Sequence, residues 1–278
     1  MTAIDRLHPG LVHHVVNTLG WPSLRPLQEA ALAPVLDGSD ALLLAPTAGG
    51  KTEAAVFPML TSMIEHGWRG LSVLYVCPLR ALLNNLEPRV DGYARWLGRT
   101  AAVWHGDTKP SQRRAMRVER PDILLTTPES LEAILVSRSV SPREFFGDVR
   151  AVIVDEVHSF AGDDRGWHLL AVLERISRLA SRPLQRIGLS ATVGNPRELL
   201  RWLQGPGAEA GDGVVVASEL RGPDPSAEIE VDYVGNVQNA ALVISALHRG
   251  EKRLVFCETR RRTEELAQEL RARDVTTF

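Results

Sequence analysis

Six short apolar runs, five of them followed by a segment with helical spacing, constrain this chain more than any other feature. They read "ALLLA" (41–45), "LSVLYVC" (71–77), "AAVWH" (101–105), "DILLTT" (122–127), "AVIVDE" (151–156) and "QRIGLSAT" (185–192). Continuous apolar runs of this length suit strands buried on both faces. Between them "TEAAVFPMLTSMIEH", "LRALLNNLEPRVDGYARWL", "PESLEAILVSR", "WHLLAVLERISRLA" and "PRELLRWLQ" carry helical periodicity. Strand alternating with helix predicts an α/β fold, a doubly wound parallel sheet.

The alternation breaks after Leu203 into "QGPGAEAGDG", and Pro and Gly cluster again in "SELRGPDPSAE". Such clusters are loop signals. A first domain is therefore expected over 1–220, a linker over 221–227 and the start of a second domain over 228–278. That last part reads as strand (228–234), helix ("NVQNAALVISALHRG"), strand (252–259) and helix ("RRTEELAQELRAR"). A chain of 278 residues suits this division, because single cores rarely grow far beyond ~200 residues before splitting.

Apolar residues make up 44% and charged residues 24%, the balance of an ordinary globular protein. No uninterrupted apolar run approaches the ~20 residues of a membrane helix, and the start, "MTAIDRLHPG", is too polar for a secretory signal. A cytoplasmic location with no membrane partner is the expectation. The net charge of −2 argues against a globally basic nucleic-acid binder. Two basic clusters, "QRRAMRVER" (112–120) and "TRRRTEELAQELRAR" (259–273), are either solvated helix faces or phosphate-facing surfaces. The two cysteines, Cys77 and Cys257, lie in apolar runs and read as small buried hydrophobes.

"APTAGGKT" (45–52) stands between the first strand and the first long helix. The phosphate-loop pattern is Gly, four residues, then Gly-Lys-Ser/Thr in that context; here Ala45 takes the first position, and Thr47, Ala48, Gly49, Gly50, Lys51 and Thr52 follow. Loop N–H groups and the helix N-terminus would receive phosphate, Lys51 would reach its β and γ groups, and the Thr52 hydroxyl would meet magnesium. The alternative is a strand-to-helix turn with an exposed lysine. A hundred residues on, "AVIVDEVH" sets Asp155 and Glu156 at the carboxyl end of a buried strand, where open α/β sheets bind ligands. Asp155 suits a magnesium hydration shell, and Glu156 suits the removal of a proton from the attacking water.

With these two stretches in hand, the chain resembles the superfamily 2 DEAD/DEAH-type helicases, with a DEVH box at 155–158. The resemblance covers 19–273 and implies a RecA-like first domain, ATP and Mg2+ as cofactors, hydrolysis of ATP, and single-stranded or partly duplex nucleic acid as partner, with DNA favoured. "RPLQEAAL" resembles the Q motif, with Gln28 toward adenine; a surface glutamine is the alternative. "CPLRALLNN" resembles motif Ia (Pro78, Arg80), "HGDT" the glycine motif (Gly106) and "TTPESL" motif Ib (Thr127, Glu129), all implying backbone contacts that do not read sequence. "SAT" resembles motif III, and with His158 it implies coupling through Ser190 and Thr192. "ETRRRTEELA" resembles motif IV, so Thr259 and Arg260 are expected on nucleic-acid phosphate.

"DEVHSFAGDDRGWHLLAVLERI" followed by "LSATVGNPRELLRWL" is similar to the Lhr-type (large helicase-related) branch, with relatives in DNA repair or defence. There Arg165, in the turn after the DEVH box, is either solvated or a DNA contact. The family's motifs V and VI, the latter with two arginines, do not follow "RARDVTTF", so the remainder of a longer helicase chain is an expected partner. Since an arginine on the γ phosphate is worth ~10³–10⁵ in turnover, ATP binding with little hydrolysis is the expectation. A nucleotide-gated clamp without strand separation is the rival reading. The strand at 252–259 is expected to offer an unpaired edge. The tryptophans, mostly on apolar faces, read as core, and His8, His13 and His14 as solvated or capping groups.

Overall fold

The computed structural model describes residues 3–191, 193–205, 213–217, 231–247 and 250–277. The chain divides into two compact units, Met1–Leu220 and Arg221–Phe278. In the first, seven strands form one sheet: β1 (Ala41–Leu44), β2 (Val73–Val76), β3 (Ala101–Trp104), β4 (Ile123–Thr126), β5 (Ala151–Val154), β6 (Gln185–Ser190) and β7 (Val214–Ala217). Their order is β3-β4-β2-β5-β6-β1-β7, and every pairing is parallel.

β1, β2, β4 and β5 are buried at every position, on both faces of the sheet, which explains the uninterrupted apolar runs. Leu43, Tyr75, Leu125, Ile153 and Leu189 feed one core, together with α1 (Pro9–Asn17), α2 (Pro26–Leu36), α3 (Lys51–Glu65) and α4 (Arg80–Arg95). Their strand neighbours Leu42, Leu74, Leu124, Val152 and Val154 feed the opposite core with α6 (Pro128–Leu135), α8 (Asp164–Ala180) and α9 (Pro196–Gln204). The period-2 alternation of side chains thus splits each strand between two cores. α5 (Pro110–Val118) and α7 (Pro142–Phe146) complete this unit.

All strands being parallel, their carboxyl ends share one edge. Pro46–Gly50, Cys77–Leu79, His105–Lys109, Thr127 and Asp155–Glu156 all follow strand ends there, and Ser190 closes β6.

In the second unit α10 (Val237–Ala246) packs on α11 (Arg260–Arg271) around Ala241, Leu266 and Leu270. The strands expected at 228–234 and 252–259 are not formed among the described residues. Residues 231–235 and 252–257 are irregular, and Val231, Tyr233, Leu254 and Phe256 are 80–98% exposed. An apolar run becomes a strand only by pairing with a neighbour, and no described segment pairs with these; the unpaired edge expected at 252–259 is likewise not built.

Candidate functional site

The loop after β1 owes its shape to backbone conformations that side chains disfavour. Ala48 and Gly50 are left-handed, with φ of 63° and 82°, and α3 starts directly at Lys51. A Cβ on Gly49 would stand 2.6 Å from that of Ala45. Thr47 and Ala48 are exposed at the tip. The Lys51 ammonium folds back, donating to Ala45 O at 2.8 Å and to Pro46 O at 3.1 Å. Three neighbouring N–H-bearing residues and a lysine thus surround the start of a helix, an arrangement that favours anions.

Gln28 is 1% exposed, which excludes the surface-glutamine alternative. Its amide accepts from Arg25 N at 2.9 Å and donates to Gly50 O at 3.4 Å, and the Arg25 guanidinium donates to Ala48 O. Two residues at the start of α2 therefore brace the loop.

The acidic pair follows β5, two places along the sheet from β1. Asp155 Oδ1 accepts from Glu156 N at 2.9 Å, and Oδ2 accepts from the Tyr75 hydroxyl at 2.9 Å. Burial pushes the Asp155 carboxyl above its ordinary range, and Glu156 adds to this, against hydrogen bonds from Tyr75 and the Glu156 amide and the charge of Lys51. Burial, then Asp155, pushes the Tyr75 phenol up as well. Cys77, read as a small buried hydrophobe, is buried; its thiol also faces Asp155 Oδ2 at 3.8 Å and is pushed up, by burial first. Glu156 itself is left-handed, with φ of 47°, which turns the chain sharply after the strand. His158 joins two strand ends: Nδ1 lies 2.9 Å from Ser190 Oγ and Nε2 lies 3.4 Å from Glu156 Oε2. Thr192 lies outside the described residues.

The remaining expected residues gather at β2, β3 and β4. Arg80 opens α4 and pairs with Asp107 at 3.0 and 3.1 Å, while a Cβ on Gly106 would meet the Arg80 guanidinium at 2.7 Å. Thr127 caps α6 through Ser130 N at 3.4 Å. Arg165 is held by its own chain: Nε donates to Glu129 Oε1 at 2.5 Å, Nη2 to Pro78 O at 2.7 Å, and the guanidinium lies 5.4 Å from the Phe160 ring centre.

The basic cluster at 112–120 is largely spent on its own chain. Arg113 donates to His105 O and Gly106 O at 3.0 and 2.6 Å, Arg117 lies over Trp104 and Arg120 pairs with Asp148. In the second unit Thr259 caps α11, Arg260 is its exposed first residue, and Arg261 and Arg262 pair with Glu265 and Glu258. Trp167 departs from the core reading of the tryptophans at 62% exposed.

Sequence reasoning missed Arg25, Tyr75, Arg89, Asp107 and Arg113. Arg25 and Asp107 stand within the quoted motif stretches and Arg113 within a basic cluster, but what each touches is set by the folded chain, as are the contacts of Tyr75 and Arg89 with residues far along it.

A seven-stranded parallel sheet with a Gly-Gly-Lys-Thr loop, an acidic pair two strands away and Ser190 at a strand end defines a RecA-like helicase-type domain. Residues 25–199 match the DEAD/DEAH box helicase family, and the chain belongs to it. The Lhr helicase/probable uracil glycosylase of Mycolicibacterium smegmatis is 36% identical over 275 residues, covering 91% of this chain and 18% of that protein. The ATP-dependent helicase Lhr-Core of Methanothermobacter thermautotrophicus is 34% identical over 271 residues, 88% of this chain and 31% of that one. The chain thus spans less than a third of either curated relative. The structure of Mycobacterium smegmatis helicase Lhr bound to ssDNA and AMP-PNP superposes with a TM-score of 0.79 at 32% identity, over 99% of this chain and 37% of that chain. DEAD-box helicase Mss116, at 18% identity and a TM-score of 0.71, shares the fold. Among the described residues no helix is long and apolar enough to cross a membrane.

Proposed function

We propose that this chain is the ATP-binding and nucleic-acid-binding part of an ATP-driven helicase or translocase acting on single-stranded or partly duplex nucleic acid, DNA favoured. The observation that carries the reading is that the phosphate loop, the acidic pair and Ser190 lie at one edge of one sheet, with His158 joining Glu156 to Ser190. The Lhr relative bound to ssDNA and AMP-PNP supports the choice of ligands.

In this reading Thr47, Ala48, Gly49 and Gly50 present the loop to the phosphates. Lys51 exchanges the Ala45 and Pro46 carbonyls for β and γ phosphate oxygens. Gln28, held at the loop by Arg25 and Gly50, faces the base. Glu156 takes the proton of the attacking water at its carboxylate. Thr52 and Asp155 supply a hydroxyl and a carboxylate, hard oxygen donors that fit magnesium. Among the described residues no group of three or more His, Cys, Asp or Glu forms a metal cage, and magnesium in nucleotide sites takes its other positions from phosphate and water. When bound, magnesium neutralises charge on the β and γ phosphates.

Pro78, Arg80, Gly106, Thr127 and Glu129 form the nucleic-acid side of the first unit; in the second unit Thr259 and Arg260 are assigned to nucleic-acid phosphate. His158, Ser190 and Thr192 link that side to nucleotide. Residues 1–220 act as the helicase ATP-binding domain, and 228–278 as the start of a second RecA-like domain after a linker at 221–227. Strand separation is assigned to a longer protein containing this chain.

The test is a nucleotide titration and an ATP turnover assay, each with and without single-stranded DNA or RNA, on the chain and on Lys51→Ala and Glu156→Gln. Binding should be lost with Lys51→Ala and kept with Glu156→Gln. Binding indifferent to Lys51 would overturn the assignment.

A further inference from the structure

Hydrogen bonds hold the Asp155 carboxylate from β2 and the Thr52 hydroxyl from α4. The Tyr75 hydroxyl, wholly buried in β2, donates to Asp155 Oδ2 at 2.9 Å. The Thr52 hydroxyl favours the charged form of the same phenol, against the larger effect of burial. From α4, Arg89 Nη2 donates to Thr52 Oγ1 at 2.9 Å. Arg89 is held in turn by Glu53, whose Oε1 lies 3.4 Å from its Nε and accepts from the Tyr93 hydroxyl at 3.0 Å. Glu53 is 6% exposed and offsets the guanidinium charge beside the loop.

Counting donors and acceptors shows what these bonds do. A hydroxyl has one proton and two lone pairs. Arg89 occupies one lone pair of Thr52 Oγ1, which leaves a single lone pair free. Asp155 Oδ1 accepts one hydrogen bond, from Glu156 N, and keeps acceptor capacity beyond it, while Oδ2 accepts from Tyr75 and from the Cys77 thiol. Magnesium demands near-ideal octahedral geometry, so ligands whose free lone pairs are fixed in advance bind it with less reorganisation.

We propose that Tyr75 and Arg89 are positioning residues for a divalent cation, fixing the orientation of the Thr52 hydroxyl and the Asp155 carboxylate so that both are presented to one magnesium ion. The inference rests on the nucleotide reading above and names two residues which that reading does not use. The same contacts join the helix that begins at Arg80 to the metal end of the phosphate loop, by a route separate from the His158–Ser190 hydrogen bond.

The experiment is equilibrium titration of a fluorescent ATP analogue against the 278-residue chain in excess Mg2+ and in EDTA, for wild type, Tyr75→Phe, Arg89→Met and Arg89→Lys. The readout is the ratio of the two dissociation constants, the gain in affinity that the metal confers. Losing a hydrogen bond to a charged group or its partner should shrink that ratio about 5- to 30-fold in Tyr75→Phe and Arg89→Met. Affinity in EDTA should stay within about 2-fold of wild type, the expected signature of an effect confined to the metal. Arg89→Lys keeps a donor and should restore part of the ratio. Should Tyr75→Phe fail to fold, the Arg89 variants carry the test, since that side chain is 49% exposed. An unchanged or larger ratio, or equal losses in Mg2+ and EDTA, overturns the proposal, the latter marking a packing role. No nucleotide binding by wild type overturns the proposed function itself and this inference with it.

Discussion

Replacing Arg165 with Met separates two roles that the sequence left open for this residue. Its guanidinium donates to both Glu129 oxygens, at 2.5 and 3.2 Å, and to Pro78 O at 2.7 Å, so the turn after the DEVH box is pinned to the ends of β2 and β4. The pair is partly wet, with side chains 32% and 53% exposed, which limits the ion pair to about 0.5–1 kcal/mol. The bond to the Pro78 carbonyl adds about 1 kcal/mol and stacking on Phe160 about 0.5 kcal/mol. Arg165→Met should therefore cost about 2 kcal/mol in urea unfolding, and a double-mutant cycle with Glu129→Gln should return about 0.5–1 kcal/mol of coupling. Burial alone would raise the Glu129 carboxyl, but hydrogen bonds from Arg165, its own amide and Thr127 hold it below the ordinary range. A depressed acid stabilises the fold above its unfolded pKa and loses that contribution as pH falls through the folded value, so the coupling should vanish in acid. The DNA arm decides the role. With its donors committed internally, loss of Arg165 should leave the salt dependence of single-strand binding unchanged, whereas loss of a phosphate contact lowers the slope by about 0.7. A reduced slope with undiminished stability would refute the bracing role.

Two further perturbations address the nucleotide side. Asp155→Asn should raise the melting temperature of the metal-free protein at neutral pH: an acid whose folded pKa is raised costs stability above that value, and the cost is relieved as pH falls through it towards the unfolded value. The gain over wild type, followed in EDTA, should accordingly shrink on acidification; a loss of stability at neutral pH would show that the Tyr75 and Glu156 hydrogen bonds outweigh burial. Gly50→Ala places a Cβ at φ 82°, 2.5 Å from Gln28 Nε2, and should cost about 1–2 kcal/mol for the left-handed conformation while weakening nucleotide binding. Wild-type binding by this variant would show that Gln28 does not depend on the loop.

What was legible in the sequence was what is local. β1 to β6 were readable because strands buried on two faces leave continuous apolar runs, and α3, α4, α8 and α9 because one stripe of each meets a core. The runs at 228–234 and 252–259 also hold apolar residues, yet a ladder depends on a neighbour that no local pattern specifies, and their described parts, 231–234 and 252–257, are irregular. The motif residues were legible for a related reason: in a parallel sheet each functional loop directly follows its own strand, so a short run of sequence carries both the element and the chemistry. What joins those loops was not legible. Arg25 reaches Ala48 across 23 residues, Arg89 reaches Thr52 across 37, Tyr75 reaches Asp155 across 80 and Arg165 reaches Pro78 across 87. Tyr75 in particular sits in "LSVLYVC" as one apolar residue among others, and only the order β2-β5 turns its hydroxyl into a partner of the acidic pair. The residues that position a site of this kind are set by strand order, and the order of parallel strands is a property of the folded chain that adjacent residues do not encode.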